Sequence, residues 1–149
     1  MKQFLYVAVV MVAATVMTSC ATLTGKSSYH IAIGSSDSDA HVLVKDLRTG
    51  KAVNELKVPA TIMLQAGAGF FKNAKYELIF TSSDSTDTAS YLLNGKVKPS
   101  YVVGNFLIGG LIGWVIVDPA TGKMWKIEET NIYWNPLGGF NVQKTSTVP

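Results

Sequence analysis

The chain has one cysteine, Cys20, among its 149 residues. A lone thiol allows no internal disulfide and no thiolate metal cage, so packing and hydrogen bonds must hold the fold. Histidine is nearly as scarce, with two residues, His30 and His41. Charged residues make up only 15% of the sequence, with a formal net charge of +3, and the cations are scattered along it. No basic run is dense enough to track a phosphate backbone, which argues against a nucleic-acid partner. There is no Gly-x-Ser-x-Gly elbow, no spaced acidic loop ending in Glu, and no cofactor fingerprint. Gly25-Lys26-Ser27 matches the end of a phosphate-binding loop, but Cys20 stands where that motif needs its first glycine.

What is present begins at the amino end. Met1-Lys2-Gln3 is basic, residues 4–17 are apolar apart from Thr15, and Thr18-Ser19-Cys20 follows. This is the layout of a secretory signal, and the apolar part is short of the ~20 residues that a membrane span needs. The segment "MTSCA" (Met17 to Ala21) resembles a bacterial lipobox, with Met17 where leucine is usual. The resemblance implies cleavage before Cys20, diacylglycerol on its sulfur and acylation of the new amino end. Two or more such chains anchor a protein stably where one does not. On this reading 1–19 is a signal peptide and 20–28 a small, polar, lipidated tether. Ala21 after the cysteine and the lack of acid in the tether imply, by resemblance to sorting signals, an outer-membrane site facing the periplasm.

Residues 29–135 read as one mainly β domain, an antiparallel sandwich. Tyr29 to Gly34 and Ala40 to Leu47 are β-branched runs around "SSDSD", which reads as a hairpin turn. "DLRTGK" (Asp46 to Lys51) is a further turn, and Ala60 to Gln65 a third strand. "GAGFF" (Gly67 to Phe71) is a loop bearing two aromatic rings. Ala74 to Ser82 is a strand with Tyr76, Leu78 and Phe80 on one face, and Thr88 to Gly95 is a strand closing in an Asn-Gly turn. Lys123 to Asn135 supplies two more strand segments, and 136–149 reads as a loose tail.

The order "IAIGSSDSDAHVLVKDLRTGK…VPATIMLQ…KYELIF" resembles the PEGA-type repeat over Tyr29 to Thr81, with "SDSDA" in place of the tetrapeptide. Joined to the lipobox and to Asn105, Gly109, Gly110, Asp118, Thr121 and Gly122, it resembles small Gram-negative envelope lipoproteins. That resemblance implies a β-sandwich-like lipoprotein and names no chemistry.

Residues 101–117 lack any charge and hold four glycines. A hairpin about Gly109-Gly110, a helix and a membrane-inserted element all fit the apolar content. We favour a helix, capped by Ser100 and stopped by Asp118-Pro119, whose Gly109 and Gly113 share a face that packs on the sheet.

No catalytic set converges. In the hairpin register, His30 and His41 fall on opposite faces and about 10 Å apart. Asp37, Asp39, Asp84 and Asp87 suit turns, and the neighbours Glu128 and Glu129 face opposite ways on a strand. The expectation is therefore a non-enzymatic envelope lipoprotein, structural or partner-binding, bound to the membrane through Cys20 and free of cofactor and metal. A small-molecule or glycan-binding domain using Phe70, Phe71 and Trp125 is the alternative, and an envelope enzyme comes third.

Overall fold

The computed structural model describes residues 26–99, 101 and 122–145. Its strands in chain order are β1 (Ser28–Ser35), β2 (His41–Asp46), β3 (Ala52–Lys57), β4 (Ala60–Gln65), β5 (Lys75–Thr81), β6 (Thr88–Asn94), β7 (Lys96–Val97), β8 (Trp125–Lys126), β9 (Glu129–Asn135) and β10 (Gly139–Lys144). They form a four-stranded sheet in the order β10-β9-β1-β4, a second in the order β3-β2-β5-β6, and a two-stranded ribbon β7-β8.

Alternation decides which sheet face is buried. On β5, Tyr76, Leu78 and Phe80 are buried while Lys75, Glu77, Ile79 and Thr81 between them are not. β1 repeats the pattern with Ile31 and Ile33, and its register sets Ile31 opposite Ile62 of β4 and Ile33 opposite Ile132 of β9. Val42 and Val44 do the same on β2. The two apolar faces meet in one core cluster. Its aromatic centre crosses between the sheets: the Phe80 ring lies 5.6 Å from Trp134 and 5.4 Å from Phe140, which is in turn 5.4 Å from Tyr91.

The fold class expected from sequence is thus mainly β and sandwich-like, but its packed helix is corrected. Among the described residues no helix lies on either sheet, because each inward face is already covered by the other sheet. Positions 101–117, apart from Tyr101, and with them Gly109 and Gly113, lie outside the described residues, as do the signal segment and Cys20. Among the described residues no helix is long and apolar enough to cross a membrane.

Three further expectations change. β1 and β2 are not a hairpin: they belong to opposite sheets, and "SSDSD" carries the chain across the sandwich. The split lets the apolar stripes of both strands face the same core. The sandwich is not wholly antiparallel, since β9 runs parallel to β1. Residues 139–144 are no loose tail but an edge strand, started by Gly139 at φ 80° and fixed by Phe140 and Val142 packing inward.

The Asp46–Lys51 turn forms as its chemistry dictates. Asp46 Oδ1 accepts the Arg48 amide at 2.8 Å, the Gly50 amide donates to the Asp46 carbonyl at 2.8 Å, and Gly50 takes φ 70°. In the matching segment 118–123, Gly122 has φ 68°, and residues 118–121 lie outside the described residues.

Candidate functional site: a cationic end with an exposed aromatic tip

The strands run between two ends of the sandwich, and several separate segments converge on the end where the chain enters β1. Ser27 accepts the Ala66 amide at 2.8 Å, which joins that start to the loop after β4. The Lys26 carbonyl accepts Lys98 Nζ at 2.7 Å and the Tyr29 hydroxyl at 3.2 Å. The Lys98 amide donates to Met124 at 2.9 Å, and Lys98 Nζ lies 5.9 Å from the centre of the Tyr29 ring. Both Tyr101 and Gly122, which flank the apolar stretch of the sequence, adjoin this same ribbon: the Tyr101 amide donates to the Lys98 carbonyl, and the Gly122 carbonyl accepts the Trp125 amide.

Two glycines permit the close approach. A Cβ on Gly95 would stand 2.3 Å from the Ala66 carbonyl oxygen, so only glycine lets the strand leaving β6 cross the 66–74 loop. A Cβ on Gly67 would meet the Gly122 Cα at 3.0 Å and Trp125 Cδ1 at 3.2 Å. From this base the loop projects. The Ala68 amide donates to Lys72 at 2.8 Å and the Lys72 amide to Gly69 at 3.1 Å, which closes a tight tip at Gly69-Phe70-Phe71. Phe71 is held at φ 54°, a left-handed conformation that costs a non-glycine residue about 1–2 kcal/mol. The Phe70 and Phe71 rings meet edge to face at 5.0 Å, yet they are 56% and 48% exposed.

Cations outnumber acids at this end, which also holds Asp46 and Glu128. Lys26, Arg48, Lys51, Lys72 and Lys75 are exposed at it. Lys96 and Lys126 flank Glu128, at 2.7 and 3.0 Å, and share its charge. The hydrogen bond and charge of Glu128 raise the Lys96 pKa, and hydrogen bonds from Lys96 and then Lys126 lower that of Glu128. Lys123 and Lys144 lie at the same end. The far end is acidic. Asp37 Oδ2 accepts the Ser83 amide at 2.7 Å, a bond that, with the Asp39 amide, holds its carboxyl below the usual range. Asp84 Oδ1 accepts Ser82 Oγ at 2.6 Å and Thr86 Oγ1 at 2.7 Å, and these bonds bring its pKa to about 2. Asp87 and an Asp39–Lys57 ion pair complete that end. Most of the cations that look scattered along the chain therefore gather at one end, with Lys57 at the other, which the linear order of charges does not reveal.

The other sequence candidates do not converge. His30 and His41 sit on the outward faces of different sheets, and among the described residues no group of three or more His, Cys, Asp or Glu is placed to hold a metal. Glu129 is buried while Glu128 pairs with lysines. Trp125 is partly buried against the core and lies beside Gly67, at the base of the aromatic loop. Its Nε1 and Glu129 Oε2 are buried without a hydrogen-bond partner among the described residues. An open cleft of ≈ 480 Å³ lies against Tyr133, Asn135, Gly139 and Asn141 and includes none of Phe70, Phe71 or Trp125. Comparison with family models, with characterised proteins and with solved structures gave no match.

Proposed function

We propose that this chain is a lipid-anchored protein of the cell envelope with a non-enzymatic, structural or partner-binding role, its sandwich held at the membrane by an acylated Cys20. The observation that carries the reading is where the chain enters the fold. Lys26 belongs to the cationic end, and Cys20 stands six residues before it. At 3.3–3.6 Å per residue, that peptide spans at most ~22 Å, so an anchored Cys20 keeps the cationic end close to the lipid. An outer membrane facing the periplasm suits this arrangement, as do the lipobox and the PEGA-like order of segments. The acidic end and the outward sheet faces are then what a periplasmic partner meets.

Growth of producing cells with labelled palmitate tests the anchor. The wild-type chain takes up label and Cys20→Ala does not; equal labelling of both overturns the reading. Crosslinking from the far end in intact cells, followed by identification of the adduct, yields a discrete envelope neighbour if the role is partner binding.

A further inference from the structure

We infer that the Phe70-Phe71 tip, with the cations around it, is a second membrane contact: the two rings enter the headgroup–acyl boundary of a leaflet that carries anionic lipid. The inference deepens the proposed function and takes from it the nearness of a membrane.

The first ground is that the tip does nothing for the core. Phe70 and Phe71 are exposed side chains, and Phe71 pays for its place with a left-handed backbone. Strain of this kind persists where the surrounding structure enforces it, and it concentrates at functional positions. Here two hydrogen bonds across Ala68 to Lys72 enforce it, and the outcome is a pair of rings presented side by side.

The second ground is shape and charge together. The two rings stand exposed at a loop tip, outside the open cleft described above. Exposed rings at a loop tip suit a deformable apolar medium. Lys72 adjoins the rings, and Lys26, Lys51, Lys75 and Arg48 are exposed at the same end. Lysines beside inserted aromatics favour an anionic leaflet, each residue adding about a fivefold gain in partition. Asp39, Asp84 and Asp87 are exposed at the opposite end, where the same field repels them. Attraction at one end and repulsion at the other set a single orientation, with the chain's entry point toward the lipid.

The third ground is orientation. Acyl chains on Cys20 hold the chain at the bilayer through one point, and one point does not set the tilt of the domain. Inserted rings and a basic rim supply a second point of contact, which does.

The test uses the mature chain carrying Cys20→Ser, made without its signal and therefore unacylated. It is floated on a density gradient with vesicles of phosphatidylcholine alone or of phosphatidylcholine with phosphatidylglycerol. We expect retention on the anionic vesicles only, weakening as salt rises. The double variant Phe70→Ser/Phe71→Ser loses about tenfold or more of that partition, and Lys72→Ala about fivefold. Leu137→Ser, at a residue 98% exposed on the far end, leaves it unchanged. These positions are exposed, so matching thermal melts show that the variants fold. No flotation with anionic vesicles, equal retention on both vesicle types, or wild-type retention of the Phe double variant overturns the inference. Because the chain tested is unacylated, such a failure leaves the Cys20 anchor standing. Equal palmitate labelling of wild type and Cys20→Ala, conversely, leaves the vesicle result standing.

Discussion

Replacing Phe80 by alanine tests the sandwich at its centre. The Phe80 side chain is fully buried and touches Trp134 and Phe140 of the opposite sheet. Its burial is worth ~1.5–3 kcal/mol by transfer alone. The cavity left in a core that cannot collapse brings the usual cost of Phe→Ala to ~3–5 kcal/mol, and each lost aromatic pair is worth about 0.5–1.5 kcal/mol within that range. Domains of this size are stable by about 5–15 kcal/mol, so Phe80→Ala leaves a folded but fragile protein. Urea unfolding followed by tryptophan fluorescence reads the change. With a slope of ~1.5 kcal/mol/M, a loss of ~4 kcal/mol moves the midpoint down by about 2.7 M. Phe70→Ala supplies the control, being the same substitution at an exposed ring, with an expected cost within ~0.5 kcal/mol. Equal midpoint shifts for the two variants would refute the argument, because they would mean that Phe80 does not bridge the sheets. The same comparison secures the vesicle experiment, since a tip that contributes little to stability can be altered without unfolding the domain.

Two other substitutions probe the ends. Gly95→Ala drives a methyl into the Ala66 carbonyl oxygen and strains the Ala74-to-Ala66 hydrogen bond, for a cost of ~3 kcal/mol. Gly50→Ala has φ 70° but open space around it and costs about 1 kcal/mol, so a thermal melt must rank Gly95→Ala as clearly the less stable. At the far end, Asp84 has a folded pKa of about 2, below its ordinary value, because Ser82 and then Thr86 donate to its carboxylate. Its stabilising contribution is therefore complete above the unfolded pKa of ~4 and is lost as pH falls through ~2. The urea midpoints of wild type and Asp84→Asn should keep a constant gap near neutral pH that closes between about pH 4 and 2; a gap that stays constant down to pH ~2 contradicts this assignment.

Local chemistry was readable wherever a few adjacent residues decide the outcome. The alternation of Tyr76, Leu78 and Phe80 selects the buried face of β5, and Asp46 with Gly50 specifies the turn that follows β2. Pairing was not readable, because it depends on residues far apart in sequence. "SSDSD" suits a crossing between sheets as well as a hairpin, and only the need to bury both the Ile31-Ile33 and Val42-Val44 stripes distinguishes the two. The parallel match of Ile33 with Ile132 spans almost the whole domain. β3 carries no strand signal in its sequence, because Ala52, Val53, Asn54 and Glu55 are all exposed at a sheet edge and show no alternation. β10 was obscured by two glycines and a polar composition, although Phe140 and Val142 are spaced for a strand. Phe70 and Phe71 stood out in the sequence as loop aromatics. Trp125 lies against Gly67, at the base of the loop that carries the two rings.

The polarity of charge has a simple origin in the topology. Strands of similar length carry the chain from one end to the other, so successive connections alternate between ends. Arg48 and Lys51 follow β2, Lys72 precedes β5, Lys96 follows β6, and Lys123 and Lys126 lie around β8, all connections at the end where β1 begins. Asp37 and Asp39 lie between β1 and β2, and Asp84 and Asp87 between β5 and β6, at the other end. The loop aspartates Asp37, Asp39, Asp84 and Asp87 thereby gather at one end and most of the cations at the other, with Asp46, Glu128 and Lys57 as exceptions, which a net charge of +3 does not convey. Exposed charges act over roughly 8 Å at physiological ionic strength. Across a sandwich whose eight-residue β1 is ~26 Å long, a surface touching one end feels that end's charge and not the sum. If Cys20 is acylated as proposed, the domain stands within ~22 Å of a bilayer, and the pole nearest the tether governs the interaction. That pole also carries the only adjacent pair of phenylalanines in the chain, at a loop tip that the core does not need.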